Sequence, residues 1–306
     1  MSYVAVERAD TLGAAGVSGT AALQGPETRR RRRPSGWHLL LVPVALLMIF
    51  PFVWLIITSA STLAETRVFP PTLPAGFPVT WIQNLVHNYR EAWTQAPFGR
   101  WVLNTTIVTF TVVIGNLAFC SLAGYALARL RFFGRTALFL VILATLMVPF
   151  QVVMIPVLLI CKYLGMVDTL AALVVPNLVT PFGIFLLRQF FKTLPVEIEE
   201  AARIDGATRL GTLVKVLLPS MAAPLATVGI MTMLWSWNDF LWPLIAITSQ
   251  NHMTLQLGLS SFVGSHTTNW PVLMAGTVMT QVPMLLIFLV AQRWFVQSFA
   301  SSGVKG

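Results

Sequence analysis

Charge is scarce in these 306 residues. Asp, Glu, Lys and Arg together make up 10% of the chain, while 56% of it is hydrophobic and the mean hydropathy is +0.75. A soluble domain carries roughly 25% charged residues. With less than half of that, the outer surface has to face lipid, and a soluble enzyme or binding module is excluded. Cysteine is almost missing as well. Cys120 and Cys161 fall toward opposite ends of different apolar stretches, beyond the ~7 Å reach of a disulfide. The phosphate loop G-x-x-x-x-G-K-[ST] is absent and the dipeptide Gly-Lys never occurs, so no ATP or Mg site of the usual kind is expected in this chain. There is no H-E-x-x-H. His38, His87, His252 and His266 are scattered without ligand spacing, so no metal site is expected. A membrane-embedded hydrolase would need a nucleophile with a base, or paired carboxylates, at depth. Asp239 is the one acid placed to reach such depth, so enzyme chemistry is not expected either.

What is present is a series of long uncharged runs: 37–61, 101–128, 136–161, 169–187, 216–238 and 272–292. Each approaches or exceeds the ~20 residues with which an α-helix crosses the hydrocarbon core. Strands of a membrane barrel would be shorter and would alternate, so the expected class is all-α with six transmembrane helices. Of the 20 Lys and Arg, only Arg67, Arg90, Arg100 and Lys162 lie in segments that would be outside if the N-terminus were cytoplasmic. The other sixteen lie inside, which predicts both termini in the cytoplasm. The run Arg29–Arg33 reads as a topology anchor and not as a nucleic-acid site, because it immediately precedes the first span. Residues 1–36, rich in Ala, Gly and Ser and without periodicity, are expected to be a disordered basic cytoplasmic tail.

One polar island interrupts the apolar pattern, EEAARIDGATRLGTLVKVLLP from Glu199 to Pro219. Pro195 suits a first helical turn, and Glu197, Glu199 and Glu200 complement the positive end of the helix dipole. Arg203 stands three and four residues after Glu200 and Glu199, where it could pair with either. Gly206 supplies a left-handed stop. Leu210, Leu213, Val214 and Leu217 then follow the spacing of one buried helical face. The segment 195–218 is therefore expected to be a cytoplasmic helix–turn–helix. It could lie on the inner leaflet as an amphipathic hairpin, or dock as a knob into a groove of a soluble partner.

Glu200-Ala201-Ala202, three residues, Gly206, nine residues, then Val216-x-Leu218-Pro219 resembles the EAA motif of ABC importer permeases. The resemblance implies that Glu200, Ala201, Ala202, Asp205, Gly206, Leu218 and Pro219 belong to a coupling helix held in a cleft of the ATP-binding subunit. The ending Gly303-Val304-Lys305-Gly306 resembles that of the MalG-type subunits of carbohydrate importers, which implies that residues 297–306 form a tail reaching the ATPase dimer. Asn88-Tyr89 with Asn104-Thr105, Trp235-Ser236-Trp237-Asn238-Asp239-Phe240, and Asn269-Trp270 through Ala275 resemble further signatures of that group. The likeness covers about residue 37 to the end, with 37–296 as the permease domain.

Trp235, Ser236, Asn238 and Asp239 are candidates for a substrate pathway. On a continuous helix Trp235, Ser236 and Asp239 would share one face, and an aromatic ring beside amide and carboxylate groups suits a sugar. An acid within a span is a functional hypothesis by default. The competing reading is an outer interface, where tryptophan is also enriched. In the outer segment before residue 99, Trp81, Leu85, Tyr89 and Trp93 recur every four residues, as on an interfacial helix. The resemblance implies the type I importer permease fold in the inner, cytoplasmic membrane of a bacterium. The implied partners are a second permease subunit, an ATP-binding subunit dimer that holds the ATP and Mg, an extracytoplasmic sugar-binding protein and the lipid bilayer. A secondary transporter or channel for a small polar solute is the alternative, but neither inverted repeats nor midplane carboxylates are visible.

Overall fold

The computed structural model describes residues 37–68, 78–264 and 268–302. The N-terminal tail, the prolines Pro70, Pro71 and Pro74, His266 and the ending Gly303–Gly306 lie outside the described residues. The chain divides into two compact units at Ile49. In the first, the described part is the beginning of helix α1 (His38–Ser59), whose Leu39, Leu46 and Leu47 are all exposed. Apolar side chains on every face mark a helix in lipid and not against water.

The second unit is built around α3 (Phe98–Arg129), which at 1.5 Å per residue is about 48 Å long and exceeds the bilayer core. Helices α7 (Pro181–Thr193) and α11 (Ala222–Trp237) pack along it. Close approach rests on small residues. A Cβ on Gly124 would come 3.1 Å from the backbone nitrogen of Arg188, and one on Gly183 would come 2.9 Å from Cys120 Sγ. In lipid, where apolar surface alone does not drive helices together, this backbone proximity supplies the packing. Cys120 and Cys161 are both free and belong to separate apolar clusters.

Among the described residues there is no strand. Four helices are long and apolar enough to cross a membrane, and six if each of two bent pairs counts as one span. The runs 136–161 and 216–238 are not single continuous helices. Helix α4 (Arg135–Thr145) and helix α5 (Phe150–Tyr163) meet at 105°, because Pro149 disfavours helical backbone at Val148. The segment Arg209–Ser220 meets α11 at 84°. It consists of α9 (Arg209–Thr212), a π-turn over Leu213–Leu217 and α10 (Leu218–Ser220). Leu170–Thr193, one of the four, is not bent in this way but is irregular within. Helix α6 (Leu170–Val174) and a 3-10 turn at Val175–Asn177 precede Thr180, whose hydroxyl accepts the Gly183 N–H at 3.2 Å and caps α7.

Before α3 stands α2 (Val79–Thr94). It packs against α14 (Trp270–Ser302), with Ala92, Val272 and Ala275 in a small shared cluster. The buried positions of α2 are Asn88 and Ala92; Trp81, Leu85 and Tyr89 are half-buried beside them and Trp93 is exposed. After α11 come α12 (Leu241–Ala246) and α13 (Leu255–Ser260). Gly258 admits the Trp101 ring so closely that a Cβ would lie 2.3 Å from it.

Candidate functional site

Leu194 and Pro195 are extended, and α8 (Val196–Ile204) begins directly after them. Its end is a Schellman motif. Gly206 has φ +80° and donates to Arg203 O at 3.0 Å, while Ala207 donates to Ala202 O at 2.9 Å. Those are the two bonds that close a helix through a left-handed residue. Thr208 then caps α9, its hydroxyl accepting Gly211 N–H at 3.1 Å. The expected helix–turn–helix is present.

Its charges pair differently from the local expectation. Glu199 is 3% exposed and meets Arg129 of α3, with Nε 2.8 Å from the carboxylate. The Tyr125 hydroxyl donates to the other carboxylate oxygen at 3.5 Å. Arg129 also donates to Leu194 O. Among the described residues no ion pair joins Arg203 to Glu199 or Glu200, and Arg203 is exposed. A buried carboxylate needs a charged partner, and α3 supplies it across seventy residues of sequence.

The second half of the island is likewise reset. Leu213 and Leu217 are buried in a cluster with Tyr125, Leu127, Leu187 and Phe191, but Leu210 and Val214 are exposed. The π-turn is the reason: its wider winding turns those two residues away from the face that a 3.6-residue helix would bury. Pro219, which has no N–H, sits just beyond it. Leu218 packs partly against the same cluster.

What α8 presents outward is Glu200, Ala201, Asp205 and Gly206, together with Ile204, which is 87% exposed. Ala202 faces inward. Ile204 was not among the sequence-derived candidates. Its signal is slight, a single branched aliphatic residue between Arg203 and Asp205-Gly206. The result is a firmly seated polar element with an exposed apolar tip.

The proposed wall at 235–239 is arranged otherwise than expected. Helix α11 ends at Trp237, so Trp235, Ser236 and Asp239 do not share one helical face. Trp235 is 46% exposed. Ser236 turns inward and donates to Thr109 Oγ1 at 3.4 Å. Trp237 donates to Thr280 O at 3.3 Å. Asn238 donates to Leu234 O at 2.8 Å and accepts from Gln256 at 3.3 Å. Asp239 accepts the Trp242 N–H at 3.4 Å, as a capping carboxylate does for the short helix that follows.

The other signature residues are polar clamps. Asn88 donates to Ser59 O and Ser61 O at 2.9 and 3.0 Å, fastening α2 to the end of α1. Asn104 donates to Asn251 O and Met253 O, each at 2.9 Å, and Thr105 accepts Leu255 N–H at 2.7 Å. These bonds hold the 250–255 segment on α3. Near that end Asp168, with φ +62°, accepts Thr248 N–H at 2.9 Å and Ser249 N–H at 2.8 Å. The amides of Ser249 and Thr248 hold its carboxyl below the usual range.

Comparison with known proteins adds the following. The family described as binding-protein-dependent transport system inner membrane component matches residues 120–301. The chain is 36% identical over 272 residues to the arabinooligosaccharides transport system permease protein AraQ of Halalkalibacterium halodurans, covering 86% of this chain and 93% of that protein. It is 34% identical over 271 residues to the sn-glycerol-3-phosphate transport system permease protein UgpE of Yersinia enterocolitica, covering 87% and 95%. A crystal structure of a bacterial ABC transporter involved in the import of the acidic polysaccharide alginate superposes with a TM-score of 0.73 at 26% identity, covering 84% of this chain and 94% of that one.

Proposed function

This chain belongs to the family of binding-protein-dependent transport system inner membrane components, and on that premise we propose that it is the permease subunit of a bacterial carbohydrate importer. It forms half of the translocation pathway and sits in the cytoplasmic membrane with six spans and both termini inside. A second permease subunit, an ATPase dimer that binds ATP and Mg, and an extracytoplasmic binding protein complete the machine. The orientation is supported by the gathering of Arg129, Arg131, Arg135, Arg188, Lys192 and the 195–218 segment around one end of α3. The carried solute is a sugar or a phosphorylated polyol, the two classes named in the relatives AraQ and UgpE.

The observation that carries the coupling assignment is the seat of α8. Glu199 is locked to Arg129 on α3, while Glu200, Ala201, Ile204, Asp205 and Gly206 face outward. An element built this way transmits a push: the partner grips the outer face and the ion pair passes the displacement to a membrane helix. Leu218 and Pro219 connect it onward to α11. The tail Gly303, Val304, Lys305 and Gly306 is assigned a second ATPase contact on resemblance alone. Trp235 and Asn238 stay in the proposed pathway as exposed groups, with Ser236 and Asp239 supporting the bend behind them.

The test is uptake in membrane vesicles that contain the co-expressed transporter, with the neighbouring binding protein loaded from a panel of oligosaccharides and sn-glycerol-3-phosphate. Uptake that requires both ATP and the binding protein is expected for at least one. Solute movement that needs neither, driven by an ion gradient, would replace this reading with a secondary transporter.

A further inference from the structure

Between the α3–α4 turn and α8 lies a cavity of about 590 Å³ whose wall includes Arg129, Arg131, Arg135, Arg203 and Arg209. The only acids in that wall are Glu199 and Glu200, and Glu199 is committed to Arg129. Five positive groups against two negative ones leave an excess of three. A second cavity of about 300 Å³ opens at the first turn of α4 and has Arg131 and Arg135 in common with the first. Folding alone does not neutralise this charge. Arg135 spends one N–H on Leu130 O at 3.0 Å. Arg188 is buried nearby with its guanidinium 3.5 Å from the centre of the Phe139 ring, and it is close enough to Arg135 to be repelled by it. Cations gathered this tightly beside a low-dielectric region call for an anion.

The surroundings say which anion. Phe133, at the tip of the turn between Arg131 and Arg135, is fully exposed, and Phe132 beside it is also exposed. Immediately after the arginines α4 turns out Leu138, Leu140 and Val141, all exposed, as on a helix that has entered hydrocarbon. Arg131 and Arg135 therefore stand at the level where polar surface gives way to acyl chains, with aromatic rings at the boundary. That is where headgroups lie. We propose that this arginine cavity binds the phosphodiester headgroup of an anionic phospholipid, seated between the α3–α4 turn and the base of α8. Planar guanidinium groups suit phosphate oxygens, which they can meet bidentately. The bound lipid would sit against the Arg129–Glu199 joint, so membrane composition would bear on how firmly α8 is held.

The test uses the full chain extracted in non-ionic detergent with the subunits that accompany it. It is incubated with an equimolar mixture of phosphatidylglycerol and phosphatidylcholine of matched acyl chains, and the lipid retained after gel filtration is quantified by mass spectrometry. The wild type should retain phosphatidylglycerol in preference. The double variant Arg131→Gln, Arg135→Gln should lose that preference by roughly an order of magnitude or more, since each arginine near an anionic membrane surface contributes about fivefold. Phe133→Ser should reduce retention with every arginine in place, and Arg90→Gln on α2 should leave it unchanged. Equal retention of both lipids, or retention unaltered in the double variant, would overturn the proposal. So would displacement of the lipid by millimolar inorganic phosphate, which would make this a free-anion site. Loss of the accompanying ATPase from the double variant with phosphatidylglycerol retained would show that the arginines grip protein and not lipid.

Discussion

Arg129 and Glu199 meet at 2.8 Å with their side chains 12% and 4% exposed, so α8 in the polar island is bolted to the 32-residue helix α3 by a pair of charges nearly out of reach of water. At such burial the pair contributes little when intact, yet breaking it is costly, because one charge is left without compensation.

Arg129→Met should therefore lower stability by about 3–5 kcal/mol, and Glu199→Met by a similar amount. The double variant Arg129→Met, Glu199→Met should recover most of the loss, because no stranded charge remains. Thermal unfolding of the three proteins in detergent checks this. A double variant as unstable as the sum of the single ones would mean that the pair does not act as a unit.

Gly206→Val meets no steric obstacle, since nothing lies within 4 Å of where its Cβ would stand. The cost is conformational, about 1–2 kcal/mol for a left-handed residue, and it falls on the turn after α8. Membrane integration should be normal and transport should fall, while ATP hydrolysis should escape control by substrate. Gly206→Asn should be milder, because asparagine tolerates φ +80° better. Full substrate-stimulated uptake in the valine variant would count against the coupling role.

Ile204 offers a sharper probe. Its 87% exposure means that Ile204→Asp should leave the stability of the permease chain within about 0.5 kcal/mol of wild type. Binding of the ATPase subunit, measured by co-purification, should drop severely if this tip docks in a cleft. Normal assembly with Asp at 204 would place the contact elsewhere on α8.

At the opposite end of α3 the Asp168 carboxylate should act as an acid-sensitive latch. Hydrogen bonds from Ser249 and Thr248 favour its charged form and depress its pKa in the folded protein. The sign follows from that depression: the latch is fully present above the ordinary aspartate range near about 4 and is lost as pH falls through the lower folded value. Hydrogen exchange of the Thr248 and Ser249 amides should accordingly be slow and flat relative to intrinsic rates from neutral pH down to mild acid, and protection should fall only below that. In Asp168→Ala those amides should exchange fast throughout. A wild-type transition near neutral pH would count against the Asp168 carboxylate as the group that controls the latch.

For the 235–239 stretch, single cysteines read the geometry directly. A polar thiol reagent should label position 235, where the native side chain is 46% exposed, and should spare position 236, which faces Thr109. Asp239→Ala should cost about 1 kcal/mol through the lost cap on Trp242. If Trp235 lines the pathway, its labelling should change when nucleotide is trapped. Labelling indifferent to nucleotide, with normal uptake in Trp235→Ala, would remove it from the pathway.

Much of the architecture was legible because a bilayer imposes a one-dimensional code. Long uncharged runs mark helices, and the polar island stands out against them without any tertiary knowledge. Gly206 was legible for a local reason, a left-handed stop that its own neighbours require. Arg129 was not, because its partner is seventy residues away and no periodicity links them. The face through Trp235, Ser236 and Asp239 presupposed an unbroken helix, whereas Asp239 helps to start a new one. Asn88, Asn104 and Thr105 were recognisable as a signature, but their work on the carbonyls and amide of other segments can only be seen once those segments are folded together. The π-turn leaves no mark in the sequence, because Leu210, Leu213, Val214 and Leu217 fit a regular winding equally well.

The 84° elbow between Arg209–Ser220 and α11 turns that irregular segment into a crank. Its twelve residues span roughly 18 Å at an ordinary helical rise, and they run nearly square to the helix they feed. Swinging such an arm by about ten degrees sweeps its far end through about 3 Å, on the simple geometry of that rise. Because the joint is close to a right angle, a swing of the arm around the α11 axis reaches that helix as a rotation about its own length and not as a push along it. A grip on α8 would thus twist a membrane helix in place, changing which of its side chains face the interior while its depth in the bilayer stays the same.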